Sequence, residues 1–248
     1  MNLIIHGAGG RMGKVISELA QKQGHTIAAA VDMGFPCDDK NAVPPTYRAL
    51  SSCNEQADCV IDFSNHAATN DLLAFCRARK LPVVIATTGQ SDDEKRLIAD
   101  AAREIPIFYS ANMSLGVAIV AELASRASAA LPDADIEIVE IHHNQKLDVP
   151  SGTALMLAKR IEDVRPQSEL VIGRHENGKR QKREIGIHSV RLGNEVGTHE
   201  ILISTGNEVI SLRHEAKSRS LFADGALAAA VWLAGKGAGL YSMQDIIG

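Results

Sequence analysis

In the first half of the chain, short apolar runs alternate with stretches of helical period. Asn2–His6 is an apolar strand. Beyond the glycines that follow, Met12, Val15, Ile16, Leu19 and Ala20 recur at helical spacing, with Gly24 placed as a C-cap. Thr26–Val31 is the next strand and ends at Asp32, and Phe35–Asn54 is irregular and rich in turn residues. Then come a strand Ala57–Phe63, a helix Ala67–Arg79, a strand Pro82–Ala86, a helix Asp92–Glu104 and a strand Pro106–Tyr109. Ser91 and Glu94 form a capping box for the second of those helices. Strands alternating with helices predict an α/β architecture, a Rossmann-like doubly wound parallel sheet.

The second half has a different rhythm. Gly116–Ala130 is an Ala-rich helix, and strand patterns follow at Ile136–Ile141, Ile185–Leu192, His199–Ser204 and Glu208–His214. One helix, Ala154–Ile161, and a charged loop around Arg174–Arg183 lie between them; the charge run is read as a solvated face. Short turns between the later strands predict a second, smaller α+β domain with an open mixed sheet, mostly antiparallel. Ser220–Gly235 is a last helix, with Ala223, Leu227, Ala230, Val231 and Ala234 on one face, long enough to pack back on the first domain.

With 248 residues, 45% of them hydrophobic, the chain can build one large core or two smaller ones. A net charge of −4 and only 4% aromatics leave no basic field or stacking platform for nucleic acid, and nothing that recruits a membrane. No apolar run reaches the length of a membrane span, and the N-terminus enters a strand directly, so no signal peptide is read. Cys37, Cys53, Cys59 and Cys76 form no CxxC pair and read as reduced thiols, and His and Cys are too scattered for a zinc site. The expectation is a cytoplasmic protein without a metal.

Two stretches carry chemistry. The first is Gly7-Ala8-Gly9-Gly10-Arg11-Met12-Gly13, between a strand and a helix. The common G-x-G-x-x-G fingerprint fails at Met12; the pattern that fits is Gly7, Gly10, Gly13. In a strand–turn–helix–strand context, bare N–H groups at a helix start bind a pyrophosphate. Asp32 stands where an acid accepts hydrogen bonds from the adenine ribose and repels a 2′-phosphate. Met33 offsets none of that repulsion and Arg11 only part of it, so NADH is expected to be preferred, with NADPH still admitted. Small polar residues at the later strand ends, Ser64, Thr87, Thr88, Ser110 and Asn112, are expected to line the nicotinamide end.

The second stretch runs from Glu140 to Ala154. Taken singly, its His or its Ser-Gly-Thr is a solvated loop and a helix N-cap. Together, His142, His143, Lys146, Ser151, Gly152 and Thr153 suit an anionic ligand: hydroxyls and a helix start for a carboxylate, an ammonium for charge, an imidazole for a proton.

These residues carry a resemblance. The E-x-H-H-x-x-K-x-D-x-P-S-G-T-A stretch, the glycine turn, Thr87-Thr88-Gly89, Ala111-Asn112-Met113-Ser114 and the segment Leu212–Leu233 are similar to the 4-hydroxy-tetrahydrodipicolinate reductase (dihydrodipicolinate reductase) family, over essentially the whole chain. The resemblance implies reduction of 4-hydroxy-tetrahydrodipicolinate by NAD(P)H in diaminopimelate and lysine biosynthesis. It implies His142 as general acid, Lys146 as second proton donor, and His143, Lys146, Ser151, Gly152 and Thr153 as the hold on a cyclic dicarboxylate. The cofactor side falls to Gly7, Ala8, Gly9, Gly10, Arg11, Met12, Asp32, Ala86, Thr87, Thr88, Ser110, Ala111, Asn112 and Met113. It further implies a dinucleotide-binding domain at 1–113 plus 223–248, a substrate-binding and oligomerisation domain at 114–222, and a homotetramer. Asn144 and Gln145 depart from the basic or His residues common there, which weakens the local positive field. Hydride transfer requires the domains to close, with hinges expected near Met113–Ser114 and Phe222–Ala223. Two other readings are an aspartate dehydrogenase-like enzyme and a catalytically silent NAD-binding sensor.

Overall fold

A computed structural model describes residues 1–248. The chain divides into two compact units, Met1–Ser114 with Ser220–Gly248, and Leu115–Arg219. The first unit begins β1 (Asn2–His6), α1 (Arg11–Lys22), β2 (Thr26–Val31), β3 (Thr46–Tyr47), β4 (Cys59–Asp62), α2 (Thr69–Arg79), β5 (Val83–Ile85), α3 (Asp92–Ala101) and β6 (Pro106–Tyr109). The second unit is α4 (Leu115–Ala130), β7 (Asp135–His142), α5 (Gly152–Glu162), β8 (Glu169–Ile172), β9 (Glu184–Arg191), β10 (Gly197–Ser204) and β11 (Val209–Ala216). The chain then returns to the first unit as α6 (Ser220–Leu233), β12 (Gly239–Tyr241) and α7 (Met243–Ile247).

The first unit is a seven-stranded sheet in the order β12-β6-β5-β4-β1-β2-β3, with all pairings parallel. Parallel strands covered on both faces read as unbroken apolar runs, which is why Cys59–Asp62 and Val83–Ile85 are buried at every position. Ile4, Val60, Val83 and Ile107 share a core with Leu72, Cys76 and Ile98 of α2 and α3. Their neighbours along each strand point to the other face, where α6 packs on α1 and against β4, β5 and β6. The Ser91–Glu94 capping box opens α3 as expected.

Helix α6 buries Ala223, Leu227 and Ala230 of its expected face but not Val231 or Ala234. Ala223, Gly225, Ala226, Leu227, Ala229, Ala230 and Leu233 are buried, while Val231 is 51% exposed. Small side chains at Ala223, Gly225, Ala226, Ala229 and Ala230 let α6 seat deeply, with Leu227 and Leu233 filling the core and Val231 on the opposite side. Phe222–Ala223, expected as a hinge, lies within this helix. The short elements β3, β8, β12 and α7 have no counterpart in the sequence reading; two to five residues show no usable period.

The second unit is a five-stranded sheet in the order β11-β10-β7-β9-β8. β10 pairs antiparallel with β11 and β7, but β7–β9 and β8–β9 are parallel, so the sheet is mixed in equal measure and not mostly antiparallel. The β9–β10 connection is short, yet β7 stands between those two strands. Ile136, Ile138, Ile185, Ile187, Ile201 and Ile203 form the inner face under α4 and α5. The charged loop is less solvated than its composition indicates. Arg180 Nη1 lies 2.7 Å from Asp135 and its Nε 3.0 Å from Glu137, while Arg174 Nη2 lies 2.6 Å from Glu184. Lys179, Lys182 and Arg183 remain exposed. No helix is long and apolar enough to cross a membrane.

Candidate functional site

In the first unit, β1 delivers the chain to a turn where side chains would not fit. Gly7 has φ +82°, and a Cβ there would lie 2.6 Å from the Phe63 carbonyl oxygen. A Cβ at Gly13 would overlap the Gly7 carbonyl oxygen, so α1 lies directly against the turn. Gly10 is the N-cap of α1 and supplies no side chain, which leaves the first-turn N–H groups facing outward. Asp32, just past β2, accepts from the Gly9 N–H at 2.9 Å and the Gly34 N–H at 2.8 Å. The acid and the glycine turn are thereby fixed to each other.

A cavity of about 790 Å³ opens beside this turn, lined among others by Gly7, Gly10, Asp32, Met33, Arg48 and Phe75. That volume lies within the range of small-molecule and cofactor sites. Of the expected cofactor residues, Gly7, Gly10 and Asp32 line the cavity; Ala8 and Gly9 in the turn and Arg11 and Met12 at the start of α1 do not form its wall. Ala86, Thr87, Thr88, Ser110, Ala111, Asn112 and Met113 also lie outside that wall. Thr87 is buried and donates to Asp62 Oδ2 at 2.7 Å; Ser110 donates to the Asn112 carbonyl at 2.7 Å. Arg48, Phe63 and Phe75 were not anticipated, because their place in the wall depends on how β3, β4 and α2 assemble.

In the second unit, β7 carries Glu140 and His142 on its inner face, with Ile136 and Ile138. Glu140 is fully buried. A buried carboxylate is tolerated only when paired and hydrogen-bonded. Arg191 donates to both its oxygens at 3.0 Å, the Ser151 N–H donates at 3.2 Å, and His142 Nδ1 stands 2.5 Å away. Burial works to raise the Glu140 carboxyl, but the hydrogen bonds from Arg191 and His142 prevail and hold it down at about 2. Burial lowers the His142 imidazole below its ordinary value, Glu140 opposes this, and the Lys146 and Arg191 charges add to it.

The loop after β7 brings the remaining groups. Lys146 donates its N–H to the His143 carbonyl at 3.1 Å, and its Nζ lies 2.8 Å from Asp148 Oδ1. That ammonium lowers the Asp148 carboxyl, against a smaller effect of burial. Ser151 caps α5, accepting from the Ala154 N–H at 3.2 Å, and its Oγ lies 3.0 Å from His199 Nε2. Burial and the neighbouring His142 push His199 down to about 4. Gly152 and Thr153 form the first turn of α5. His142, His143, Lys146, Ser151, Gly152 and Thr153 therefore lie on one strand end, one loop and one helix start. Glu140, Asp148, Arg191 and His199 complete the cluster. In the sheet His142 is in register with Arg191, and Glu140 with His199, so only the strand pairing reveals the last two. No three His, Cys, Asp or Glu side chains converge on a point that would hold a metal ion.

The model for the N-terminus of dihydrodipicolinate reductase matches residues 1–113, and the model for its C-terminus matches residues 116–247. The chain belongs to the dihydrodipicolinate reductase family. It is 47% identical to a 4-hydroxy-tetrahydrodipicolinate reductase of Caldanaerobacter subterraneus subsp. tengcongensis, covering 100% of this chain and 98% of the relative. A Clostridium novyi member with the same description is 41% identical, covering 99% and 97%. Among solved structures, a dipicolinate-bound dihydrodipicolinate reductase from Paenisporosarcina sp. TG-14 matches with a TM-score of 0.83 and 26% identity over 99% of each chain. An aspartate dehydrogenase from Thermotoga maritima, at 13% identity and a TM-score of 0.51 over 96% of this chain and 98% of that one, shares the fold alone. The Rossmann-type first unit of a reductase of this family is a site for NAD(P).

Proposed function

We propose that the chain reduces 4-hydroxy-tetrahydrodipicolinate to tetrahydrodipicolinate with NAD(P)H, in diaminopimelate and lysine biosynthesis. One observation carries this reading. One strand end, the loop after it and the next helix start gather a buried imidazole on a carboxylate, an ammonium and a capped helix N-terminus, the three things a cyclic dicarboxylate with a conjugated C=N bond requires. The dipicolinate held by the Paenisporosarcina relative is such a ring dicarboxylate.

The side-chain-free turn and its cavity fit a dinucleotide, with Gly7, Gly10, Arg11 and Met12 toward the pyrophosphate and Asp32 toward the ribose. When bound, the reduced nicotinamide supplies a hydride to the ring. Loss of the ring hydroxyl as water leaves the conjugated C=N bond, and the electron pair entering the ring takes up one proton. His142 delivers that proton from Nε2 while Glu140 keeps Nδ1, and Lys146 steadies the developing negative charge. Ser151, Gly152 and Thr153 hold a carboxylate at the start of α5, with His143 and Lys146 beside it.

NADH is preferred over NADPH in this reading, supported by Asp32 in the cavity wall next to Met33. Residues 1–113 with 223–248 serve the dinucleotide and 114–222 the substrate. The outer face of the five-stranded sheet mixes Val139, Ile141 and Val190 with paired charges, which suits assembly into a homotetramer. No step uses a metal, and the three buried thiols suit the cytoplasm.

The assay supplies purified protein with NADH and the product of dihydrodipicolinate synthase generated in situ, and follows NADH absorbance. Oxidation that requires this compound is expected. Oxidation sustained equally by oxaloacetate and ammonia would favour an aspartate dehydrogenase, and bound NADH without turnover a silent sensor.

A further inference from the structure

We infer that Glu140 and Gly197 together determine which nitrogen of His142 handles the proton: Glu140 by engaging Nδ1, Gly197 by keeping the space against Nε2 clear. The inference rests on His142 as the proton donor and names the parts that make it one.

A neutral imidazole in water favours the proton on Nε2. Here Nδ1 lies 2.5 Å from Glu140 Oε2. An ionised carboxylate only accepts, so Nδ1 carries the proton and Nε2 is the nitrogen left to exchange one. Glu140 remains ionised because Arg191 grips both its oxygens at 3.0 Å.

Gly197 opens β10 and is paired with Ala216. A glycine within a strand weakens it unless something must come close. A Cβ here would lie 2.9 Å from His142 Nε2 and 3.3 Å from Cδ2, and its three nearest neighbours would all be atoms of that ring. The ring cannot retreat easily. Glu140 holds one edge, and the His199 ring lies edge-on with its centroid 5.1 Å away. Alanine at this position would therefore crowd the reactive nitrogen.

The test uses full-length Gly197→Ala, Glu140→Gln and Glu140→Asp, each alone and combined with His142→Gln. Gly197→Ala and Glu140→Gln are expected to lower kcat by roughly ten- to a hundredfold, with NADH affinity unchanged, and to add nothing to His142→Gln. In ¹⁵N-histidine spectra at neutral pH, the wild-type His142 should show a protonated Nδ1 and a bare Nε2. Glu140→Gln should move the proton toward Nε2 and shift the limb of the pH–rate profile to lower pH, while Glu140→Asp should retain most of the wild-type signature. A Gly197→Ala enzyme with full kcat, losses additive with His142→Gln, or a neutral wild-type ring that carries its single proton on Nε2 would overturn the inference. If Glu140→Gln fails to fold, Gly197→Ala and the wild-type spectrum still decide. An unchanged kcat in His142→Gln alone removes the donor reading and this inference with it. A lowered kcat in His142→Gln beside an unaffected Gly197→Ala removes the inference only.

Discussion

Around the glycine turn of the seven-stranded unit, shape is set by missing side chains: Gly7 and Gly13 let strand, loop and helix touch, and a cavity follows. Around His142 in the five-stranded unit, shape is set by side chains that are present, with one buried carboxylate linking a guanidinium, an imidazole and a backbone N–H. Steric room tolerates no enlargement but is indifferent to charge. A buried ionic cluster depends on every member, because removing one partner strands the others. The two regions should therefore fail differently.

The largest effect is expected from Gly13→Val, which drives a branched side chain into the Gly7 carbonyl; fluorescence titration should detect no NADH binding. Retained affinity would mean the turn is not held by close approach. Next, His142→Gln should lower kcat by roughly two orders of magnitude while NADH affinity stays at the wild-type value. Equal losses in both quantities would erase the contrast between the regions. Asp32→Ser should shift the ratio of kcat/KM for NADPH over NADH upward by about tenfold, since a shift of that size corresponds to ~1.4 kcal/mol of removed repulsion. A fixed ratio would detach Asp32 from cofactor choice.

The last effect is read in stability, not activity, and emerges only as pH falls. His199 is buried and lowered to about 4, so the unfolded chain takes up a proton near the ordinary histidine value while the folded chain does not. Stability from this group is fully present above the unfolded value and is lost as pH falls toward 4, by about 3 kcal/mol at most. Glu140 contributes in the same direction but further down, its share present above the unfolded carboxylate value and lost as pH falls through about 2. Thermal unfolding of wild type and His199→Asn between pH 7 and pH 4 should show the steeper decline in wild type. Parallel curves would show that His199 is not held neutral.

Most of the first unit was legible because parallel strands buried on both faces leave long apolar runs, and Pro106–Tyr109 was placed to the residue. The capping box at Ser91 was legible because its chemistry is local. The order of the second sheet was not, since nothing near β9 in sequence states that β7 intervenes before β10. The same fact hid the surroundings of His142. The loop carried its own signal, but Arg191 and His199 arrive from β9 and β10, and only pairing brings them in. Glu140 was visible as an acid two residues before His142. An inward-facing acid on a strand announces a partner without saying which.

Arg191 touches more than Glu140. Its Nη2 also donates to the Asp148 carbonyl at 2.8 Å, and Asp148 is the residue that holds Lys146. One planar fork thus serves as a shared reference point for the imidazole and the ammonium. Neither can drift without disturbing the other, and the spacing between the imidazole and the ammonium is set from a neighbouring strand, not by the loop alone. Lysine at 191 would preserve the charge but not the double grip. The loop tip, where Asn144 and Gln145 sit exposed, takes no part in that alignment.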